Sequence, residues 1–272
     1  MNELGAQRLT GRVAFISGGL RGIGLACAER FLAEGAEVIL SDLDAPDSDI
    51  ASNVMDRLGH AASYIQANVT REEDWQRARD VVRDRHGALH ILVNNAGTDL
   101  TGAVETLSME GWRRIMDINV DGVFLGVKTF VPMMAESGKA VTGGASIINV
   151  SSIMGLVGYN EVSAYNASKG AVRMFTKGIA IEFAQKRMAI RANSLHPGFV
   201  VTPLLDAGFQ RWVDSGFADK KQDLMDAVSG ATPMGRLAEP AELAAGAFFL
   251  ASADSAYMTG AELVMDGGWT AQ

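Results

Sequence analysis

The chain has 272 residues, a formal net charge of −8 at pH 7 and 48% hydrophobic residues. This length suits one large α/β domain or two small ones, and the apolar fraction is typical of a globular protein with a buried core. The acidic balance argues against a nucleic-acid-binding surface. The single cysteine, Cys27, cannot form an internal disulfide, so no oxidising compartment is required.

Targeting and membrane signals are weak along the chain. Residues 1–10 are polar and lack the basic patch and apolar run of a signal peptide. The longest apolar stretches, such as Ala244–Ala251, are too short to cross a bilayer. The sequence therefore predicts no membrane association and a cytoplasmic location.

Short β-branched runs alternate with longer helical patterns. The predicted strands are Val13–Ser17, Glu37–Leu40, Ser63–Ala67, Ile91–Asn94, Ser146–Val150, Ile190–Leu195 and Glu262–Met265. The predicted helices are Gly22–Glu34, Glu72–His86, Met109–Met134, Val162–Ala184 and Pro240–Ala251. Several strands are apolar at nearly every residue, as strands covered on both faces are. The alternation predicts an α/β fold, a single Rossmann-like domain over 1–272 with a doubly wound parallel sheet flanked by helices.

Two segments lie outside this alternation. Residues 1–9 are predicted to form an N-terminal tail. Residues 204–231 mix apolar and charged side chains without a strand pattern, and they follow the sixth predicted strand on the side of the sheet where ligands bind. We call residues 204–231 the lid segment and expect it to be helical and to cover the substrate.

A glycine-rich turn, Ser17–Gly24, lies between the first strand and the first helix. Its glycine spacing allows a tight turn and lets a pyrophosphate approach the backbone at the helix N-terminus. A glycine-rich turn without a ligand is the alternative, but the preceding strand and following helix favour nucleotide binding. The predicted contacts in this turn are Gly18, Leu20, Arg21, Gly22, Ile23 and Gly24.

The end of the second predicted strand carries Asp42, 18 residues after Gly24. An acid near this distance binds the adenosine ribose hydroxyls of NAD. Arg21 favours NADP instead, because a basic residue in the glycine turn can pair with the 2′-phosphate of that cofactor. A carboxylate about 4 Å from a phosphate charge costs on the order of 4 kcal/mol at an effective dielectric near 20. The following residues, Leu43 and Asp44, add no cation, so the sequence predicts NAD rather than NADP.

Tyr165 and Lys169 lie four positions apart in a predicted helix, which places both side chains on one face. A nearby ammonium favours the phenolate and lowers the pKa of a tyrosine. The pair therefore predicts a general acid/base tuned toward working pH. The spacing is common by chance, and an ordinary amphipathic helix with a surface lysine is the alternative.

Together these motifs resemble the short-chain dehydrogenase/reductase family from about Leu9 to Ala271. The other matching motifs, in chain order, are Asn94–Gly97, Asn119, Ser152, His196–Val200 with Thr202, Thr259–Leu263 and Asp266–Gly268. Ser152 lies 13 residues before Tyr165, as the family's catalytic serine does, with Ser151 as the less favoured neighbour. The sequence departs from the family at Ser17, where threonine is usual, and at Asn68, where aspartate is frequent.

The resemblance implies reversible hydride transfer between a secondary alcohol or ketone and a nicotinamide. It implies catalytic roles for Asn119, Ser152, Tyr165 and Lys169, in which Lys169 also binds the nicotinamide ribose. Asn119 is expected to hold a water that links Lys169 to solvent, or alternatively only to tie its helix to a neighbouring strand. His196 is expected to be structural. The further cofactor contacts that the resemblance implies are Leu43, Asn68, Val69, Asn95, Ala96, Gly97, Tyr165, Lys169, Pro197, Gly198, Val200 and Thr202.

Apolar side chains near these motifs predict a pocket for a bulky, cyclic or hydroxysteroid-like alcohol. The predicted pocket residues are Met154, Tyr159, Phe199, Leu205, Phe209 and Trp212. The Tyr165–Lys169 spacing argues against C=C reduction, because enoyl reductases of this superfamily separate the two residues by more. An NAD(H) redox sensor without turnover is the alternative function. No metal-ligand spacing is present, and the family resemblance implies a homotetramer, or failing that a dimer.

Overall fold

The computed structural model describes residues 7–272. Its centre is a seven-stranded parallel sheet in the order β3-β2-β1-β4-β5-β6-β7. In chain order the strands are Val13–Ser17, Glu37–Asp42, Ala62–Gln66, Ile91–Asn94, Ala145–Val150, Ile190–Pro197 and Glu262–Met265, numbered β1 to β7. All of the predicted strands are present, with ends shifted by no more than two residues.

Nine α-helices, counted over residues 7–272, surround the sheet. In chain order they are Gly22–Ala33, Asp49–Leu58, Glu72–His86, Met109–Met116, Gly122–Ser137, Ser163–Gln185, Pro203–Asp214, Lys221–Ala231 and Pro240–Ala251, numbered α1 to α9. Helices α1, α2 and α9 pack on one face of the sheet, and α3, α5 and α6 pack on the other. This arrangement confirms the predicted doubly wound α/β fold.

Strands β1, β4, β5 and β6 are buried throughout because helices cover both faces of the sheet, as their nearly continuous apolar sequence requires. Every residue of β1 is buried. On the α3 side of the sheet, Phe15 of β1 meets the rings of Phe130 and Trp75, at centroid distances of 4.9 and 5.7 Å. Leu9, at the end of the predicted tail, is fully buried, and its N–H donates to the carbonyl oxygen of Glu34 at 2.8 Å. Residues 1–6 of that tail lie outside the described residues.

Helix α2 was not predicted from the sequence. It is polar, and only Ala51 and Val54 are buried, so its apolar pattern is short. The one local sequence feature that marks the start of α2 is its N-cap residue, Ser48. Its hydroxyl accepts a hydrogen bond from the Ala51 N–H at 3.3 Å. This cap begins a helix whose few apolar positions reach the sheet.

The predicted helix Met109–Met134 is interrupted. Its two parts, α4 and α5, are joined by the π-helical turn Asp117–Asp121. Such turns insert extra backbone into a helix and recur at functional sites. By length and composition alone, the helical run 109–140 could cross a membrane, although 39% of its most apolar window is buried inside the fold. Core helices such as α5, which buries Val127 and Phe130 against the sheet, have the same composition.

The lid segment is helical, as predicted. It comprises most of α7 and all of α8, with residues 215–220 between them. Thr202 caps α7, because its hydroxyl accepts from the Leu205 N–H at 3.3 Å, and Pro203 occupies the first helical position. The segment begins right after the carboxyl end of β6, and this places α7 beside the carboxyl edge of the sheet.

Candidate active site

The glycine turn after β1 is so tight that it leaves no room for a side chain at Gly18 or Gly24. A Cβ at Gly18, whose φ is +64°, would lie 2.8 Å from the Ala96 Cα, and one at Gly24 would lie 2.2 Å from the Gly18 carbonyl oxygen. Asn95 fixes the turn, because its Nδ2 donates to the carbonyl oxygens of Ser17 at 3.0 Å and Gly18 at 2.9 Å. Ser17 joins the turn to the loop after β4, since its Oγ accepts hydrogen bonds from the N–H groups of Asn95 and Ala96.

Helix α1 begins at Gly22, directly after this turn, and Arg21 supplies no side-chain cap. The N–H groups of an uncapped first turn are available to an anion, and the helix dipole favours negative charge there. The tight glycine backbone and this helix end together fit the pyrophosphate of a dinucleotide.

A groove of about 1070 Å³ extends from this turn along the carboxyl edge of the sheet. We call it the cofactor groove. Of the predicted cofactor contacts, those that line it are Gly18, Arg21, Gly22, Ile23, Asp42, Leu43, Asn68, Val69, Asn95, Ala96, Gly97 and Thr202. Tyr165, Lys169, Pro197, Gly198 and Val200 line the adjoining cavity, which also reaches Thr202. Leu20 and Gly24 line neither space, since Leu20 is buried in the core and Gly24 packs on the Gly18 backbone.

The charged side chains at one end of the groove are all held by neighbouring groups of the protein. Asp42 accepts hydrogen bonds from the N–H groups of Leu20 at 3.2 Å and Leu43 at 2.9 Å, so its carboxylate is fixed. Arg21 forms an ion pair with Asp44. The Tyr64 hydroxyl lies 2.6 Å from the Asp44 carbonyl oxygen and 3.1 Å from that of Asp42, and it holds this turn in place. The cation in the glycine turn is therefore neutralised by a carboxylate of its own chain.

Ser152 and Tyr165 meet in the cavity at the end of β5. Ser152 begins a short 3₁₀ turn, where its Oγ accepts from the Met154 N–H at 3.1 Å, and it also hydrogen-bonds the Tyr165 hydroxyl. His196 supports this turn from β6, because its Nδ1 donates to the Ser152 carbonyl oxygen at 2.9 Å and its Nε2 bonds the Ser194 hydroxyl at 2.8 Å. His196 is fully buried, as a structural residue would be.

Lys169 lies beside Tyr165 on α6 and is 5% exposed. Its Nζ is 5.6 Å from the Tyr165 ring centroid and donates to the Val150 carbonyl oxygen at 2.9 Å. Burial lowers the pKa of the Lys169 ammonium to about 8. The Ser151 hydroxyl donates to the Lys169 carbonyl oxygen at 2.8 Å, so its proton is already engaged by the backbone.

The expected direction of the Tyr165 pKa shift is wrong. Burial raises the pKa of the Tyr165 phenol well above its ordinary value; the hydrogen bond with Ser152 lowers it and the charge of Asp99 raises it. The attraction of Lys169 alone would lower this pKa, but desolvation disfavours the charged form of both partners and is the larger effect.

Asn119 lies in the π-helical turn and is fully buried. Its Oδ1 accepts from the Thr98 N–H at 2.8 Å, and its Nδ2 donates to the Thr98 carbonyl oxygen at 2.8 Å and to Ser168 Oγ at 3.0 Å. The side chain thus ties this turn to the loop after β4 and to α6, rather than to a neighbouring strand as the alternative expected. The water-holding role stays a prediction.

The cavity around Ser152 and Tyr165, about 170 Å³ in volume, is mostly lined by apolar side chains. We call it the catalytic cavity. All six predicted pocket residues line it: Met154, Tyr159, Phe199, Leu205, Phe209 and Trp212. Tyr159 stacks on Trp212 at a centroid distance of 5.8 Å, and Phe199 meets Trp269 near the C-terminus at 4.9 Å. The pocket therefore has aromatic walls that come from distant parts of the chain.

Several lining residues were not predicted from the sequence: Thr98, Asp99, Thr101 and Gly208. Asp99 forms an ion pair with Arg211 of α7. The two residues are 112 positions apart, and neither belongs to a motif, so no sequence signal joins them. Within residues 7–272, no group of three or more His, Cys, Asp or Glu side chains is arranged to hold a metal ion.

A glycine-cradled groove that adjoins a cavity containing a serine, a tyrosine and a lysine defines a nicotinamide-nucleotide-dependent oxidoreductase. Comparison with known proteins supports this class. The protein-family model described as Enoyl-(Acyl carrier protein) reductase matches residues 18–270. The solved structure of Thermoplasma acidophilum aldohexose dehydrogenase has a TM-score of 0.85 and 31% sequence identity, and the match covers 98% of this chain and 97% of that one.

Two curated relatives align over almost the whole chain. An NADP-dependent (R)-specific alcohol dehydrogenase of Lentilactobacillus kefiri is 38% identical over 268 residues, 98% of this chain and 99% of the relative. A 3-alpha-(or 20-beta)-hydroxysteroid dehydrogenase of Mycobacterium bovis is 41% identical over 265 residues, 97% of this chain and 91% of the relative. The chain belongs to the short-chain dehydrogenase/reductase family. Its relatives support an oxidoreductase that acts on secondary alcohols with a nicotinamide cofactor.

Proposed function

We propose that this protein interconverts a bulky, cyclic or hydroxysteroid-like secondary alcohol and its ketone, with NAD(H) as the hydride carrier. The observation that carries the proposal is that Ser152, Tyr165 and Lys169 lie in one apolar cavity that opens beside the cofactor groove. Aromatic walls suit a ring system, because large flat side chains offer wide apolar contact. The names of the alcohol and hydroxysteroid dehydrogenase relatives support the same substrate class.

In this proposal each polar group in the cavity has one role. The nicotinamide, when bound, accepts or supplies the hydride. Tyr165 takes the alcohol proton during oxidation and returns it during reduction. Ser152 hydrogen-bonds the substrate oxygen and stabilises the charge that develops there. Lys169 places a positive charge beside the phenol, and the apolar walls keep water from the reacting atoms.

The preference for NAD is supported by the pairing of charges in the cofactor groove. Asp42 is fixed with its carboxylate in the groove, and Asp44 neutralises Arg21. A 2′-phosphate at this end of the groove would therefore meet the Asp42 carboxylate while Arg21 is held by Asp44. One relative is NADP-dependent by name, so the cofactor choice of this chain needs its own measurement.

A screen of cyclic secondary alcohols tests the proposed function. Each alcohol is incubated with NAD⁺ or NADP⁺, and nicotinamide reduction is followed by absorbance. We expect turnover of ring-bearing alcohols with NAD⁺. Binding of NADH without turnover of any alcohol or ketone would instead support the redox sensor, and NADH oxidation with an enoyl thioester would support C=C reduction, which the family model's description names.

The rate of alcohol oxidation is expected to rise with pH. Because burial raises the Tyr165 pKa, the phenol is protonated near neutral pH, and the phenolate fraction grows about tenfold per pH unit below that pKa. Oxidation needs the phenolate and reduction needs the phenol. We therefore expect kcat/KM for oxidation to increase between pH 7 and 9 while kcat/KM for reduction stays flat or falls. An oxidation rate that falls over this range would contradict the role of Tyr165.

We propose that the chain assembles as a homotetramer, with a dimer as the alternative. Helices α5 and α6 expose large apolar side chains, since Phe124 is 47%, Met174 is 60% and Ile181 is 58% exposed. Exposed apolar clusters mark protein interfaces. Light scattering should give a mass near four times 28.9 kDa, and Met174→Glu with Ile181→Glu should lower it. A monomer mass for the unaltered chain would overturn this proposal.

A further inference from the structure

The catalytic cavity contains one feature that an apolar alcohol does not explain, the carboxylate of Asp99. We propose that Asp99 accepts a hydrogen bond from a second hydroxyl of the substrate, so that the preferred substrate is a cyclic secondary alcohol with a further hydroxyl group. This inference rests on the proposed function and specifies the substrate class within it.

The placement of Asp99 suits recognition. Its side chain is 18% exposed, and Asp99 is the one acidic residue among those of 7–272 that line the cavity. A buried carboxylate is costly unless hydrogen bonds satisfy it. The opposing residue on α7 is Gly208, where a Cβ would lie 2.8 Å from Asp99 Oδ2. The absence of a side chain at Gly208 leaves room for the carboxylate at the cavity wall.

Arg211 decides which ligand the carboxylate suits. Arg211 donates to Asp99 Oδ1, is not among the residues that line the cavity, and has a side chain that is 41% exposed. The Asp99 side chain thus lines the cavity, while Arg211, outside the lining, balances its charge. A balanced carboxylate remains a strong acceptor for a neutral donor, and it offers a substrate cation little net attraction. A hydroxyl is therefore the favoured partner.

Alternatively, the Asp99–Arg211 ion pair is purely structural and only attaches α7 to the loop after β4. The recognition role and the structural role predict different effects when Asp99 or Arg211 is replaced. If Asp99 contacts the substrate, its removal changes the preference between substrates and the removal of Arg211 does not. If the pair is only an attachment, loss of either partner has the same effect and the preference between substrates stays constant.

The test compares cyclohexanol with the cis and trans isomers of 1,3- and 1,4-cyclohexanediol at saturating NAD⁺. The readout is the ratio of kcat/KM for the best diol to kcat/KM for cyclohexanol. This ratio cancels changes in the amount of folded enzyme. We expect a ratio of about ten or more for the unaltered protein, as for one hydrogen bond to a charged group. The variants are Asp99→Ala, Arg211→Gln and, as a control, Asp206→Ala, which removes another ion pair of α7 outside the cavity.

Asp99→Ala should reduce the ratio to about one, whereas Arg211→Gln and Asp206→Ala should keep it. No diol preference in the unaltered protein would overturn the inference, and so would an equal loss of preference in Arg211→Gln. Turnover of cyclohexanol without diol preference leaves the proposed function standing and overturns this inference alone. Failure to oxidise any of these alcohols with either nucleotide overturns this inference, whereas the proposed function is overturned only if the wider screen of ring-bearing alcohols also gives no turnover.

Discussion

Tyr165→Phe is expected to abolish turnover while NADH binding survives. The substitution removes one oxygen atom and keeps the ring, so the contact of the ring with Lys169 remains. The glycine turn and Asp42, at the far end of the groove, are unaffected. The lost atom is the one that transfers the proton in the proposed reaction. Steady-state kcat for alcohol oxidation and NADH affinity from fluorescence titration measure the two parts of this prediction.

Two further variants sharpen the test of Tyr165. Ser152→Ala should lose on the order of a hundredfold in kcat, as expected for removal of one donor to a developing oxyanion. Tyr257→Phe is a matched control, because Tyr257 is fully exposed at 105% and lies outside both cavities. Near wild-type activity of Tyr165→Phe would show that Tyr165 is not the residue that transfers the proton.

The unaltered protein is expected to show at least tenfold higher kcat/KM with NAD(H) than with NADP(H). A net repulsion of about 2 kcal/mol between Asp42 and a 2′-phosphate gives a preference of nearly thirtyfold, at roughly 1.4 kcal/mol per tenfold. Asp42→Ala should narrow the gap, mainly by improving NADP(H). Equal or better activity with NADP(H) in the unaltered protein would show that Arg21 decides the outcome.

The Arg21–Asp44 pair refines this expectation. In Asp42→Ala, Arg21 remains bound to Asp44 and meets a 2′-phosphate only after that ion pair breaks. Asp42→Ala combined with Asp44→Asn should therefore favour NADP(H) more than Asp42→Ala does. Titration with 5′-AMP and 2′,5′-ADP provides a readout that is independent of turnover. If the double variant binds 2′,5′-ADP no better than Asp42→Ala, Asp44 does not restrain Arg21.

Site residues that belong to spaced motifs were predictable from the sequence. The glycine turn, Ser152 and the Tyr165–Lys169 pair each depend on local spacing within a strand–helix unit, and the structure places them at one edge of the sheet. Even the aromatic pocket residues followed from their positions near these motifs. Asp99 and Arg211 did not, because their contact depends on how α7 packs over the loop after β4.

Other features depend on the folded environment and leave little trace in the sequence. The π-helical turn around Asn119 interrupts a continuous helical pattern without a proline or glycine at its centre. Helix α2 buries too few residues for its periodicity to stand out. The pKa of Tyr165 is set by the solvent that folding excludes, and sequence spacing gives no measure of that exclusion.

The strand order also has a consequence for how the chain folds during synthesis. Strand β1 lies between β2 and β4, and Ala14 pairs with Ile91, which is made 77 residues later (91 − 14). Until β4 emerges from the ribosome, one edge of a strand that is fully buried in the native fold stays unpaired. Such edges recruit other chains, and pairings this distant form slowly. Nascent chains that stop before β4 should therefore be prone to aggregation and good clients for chaperones.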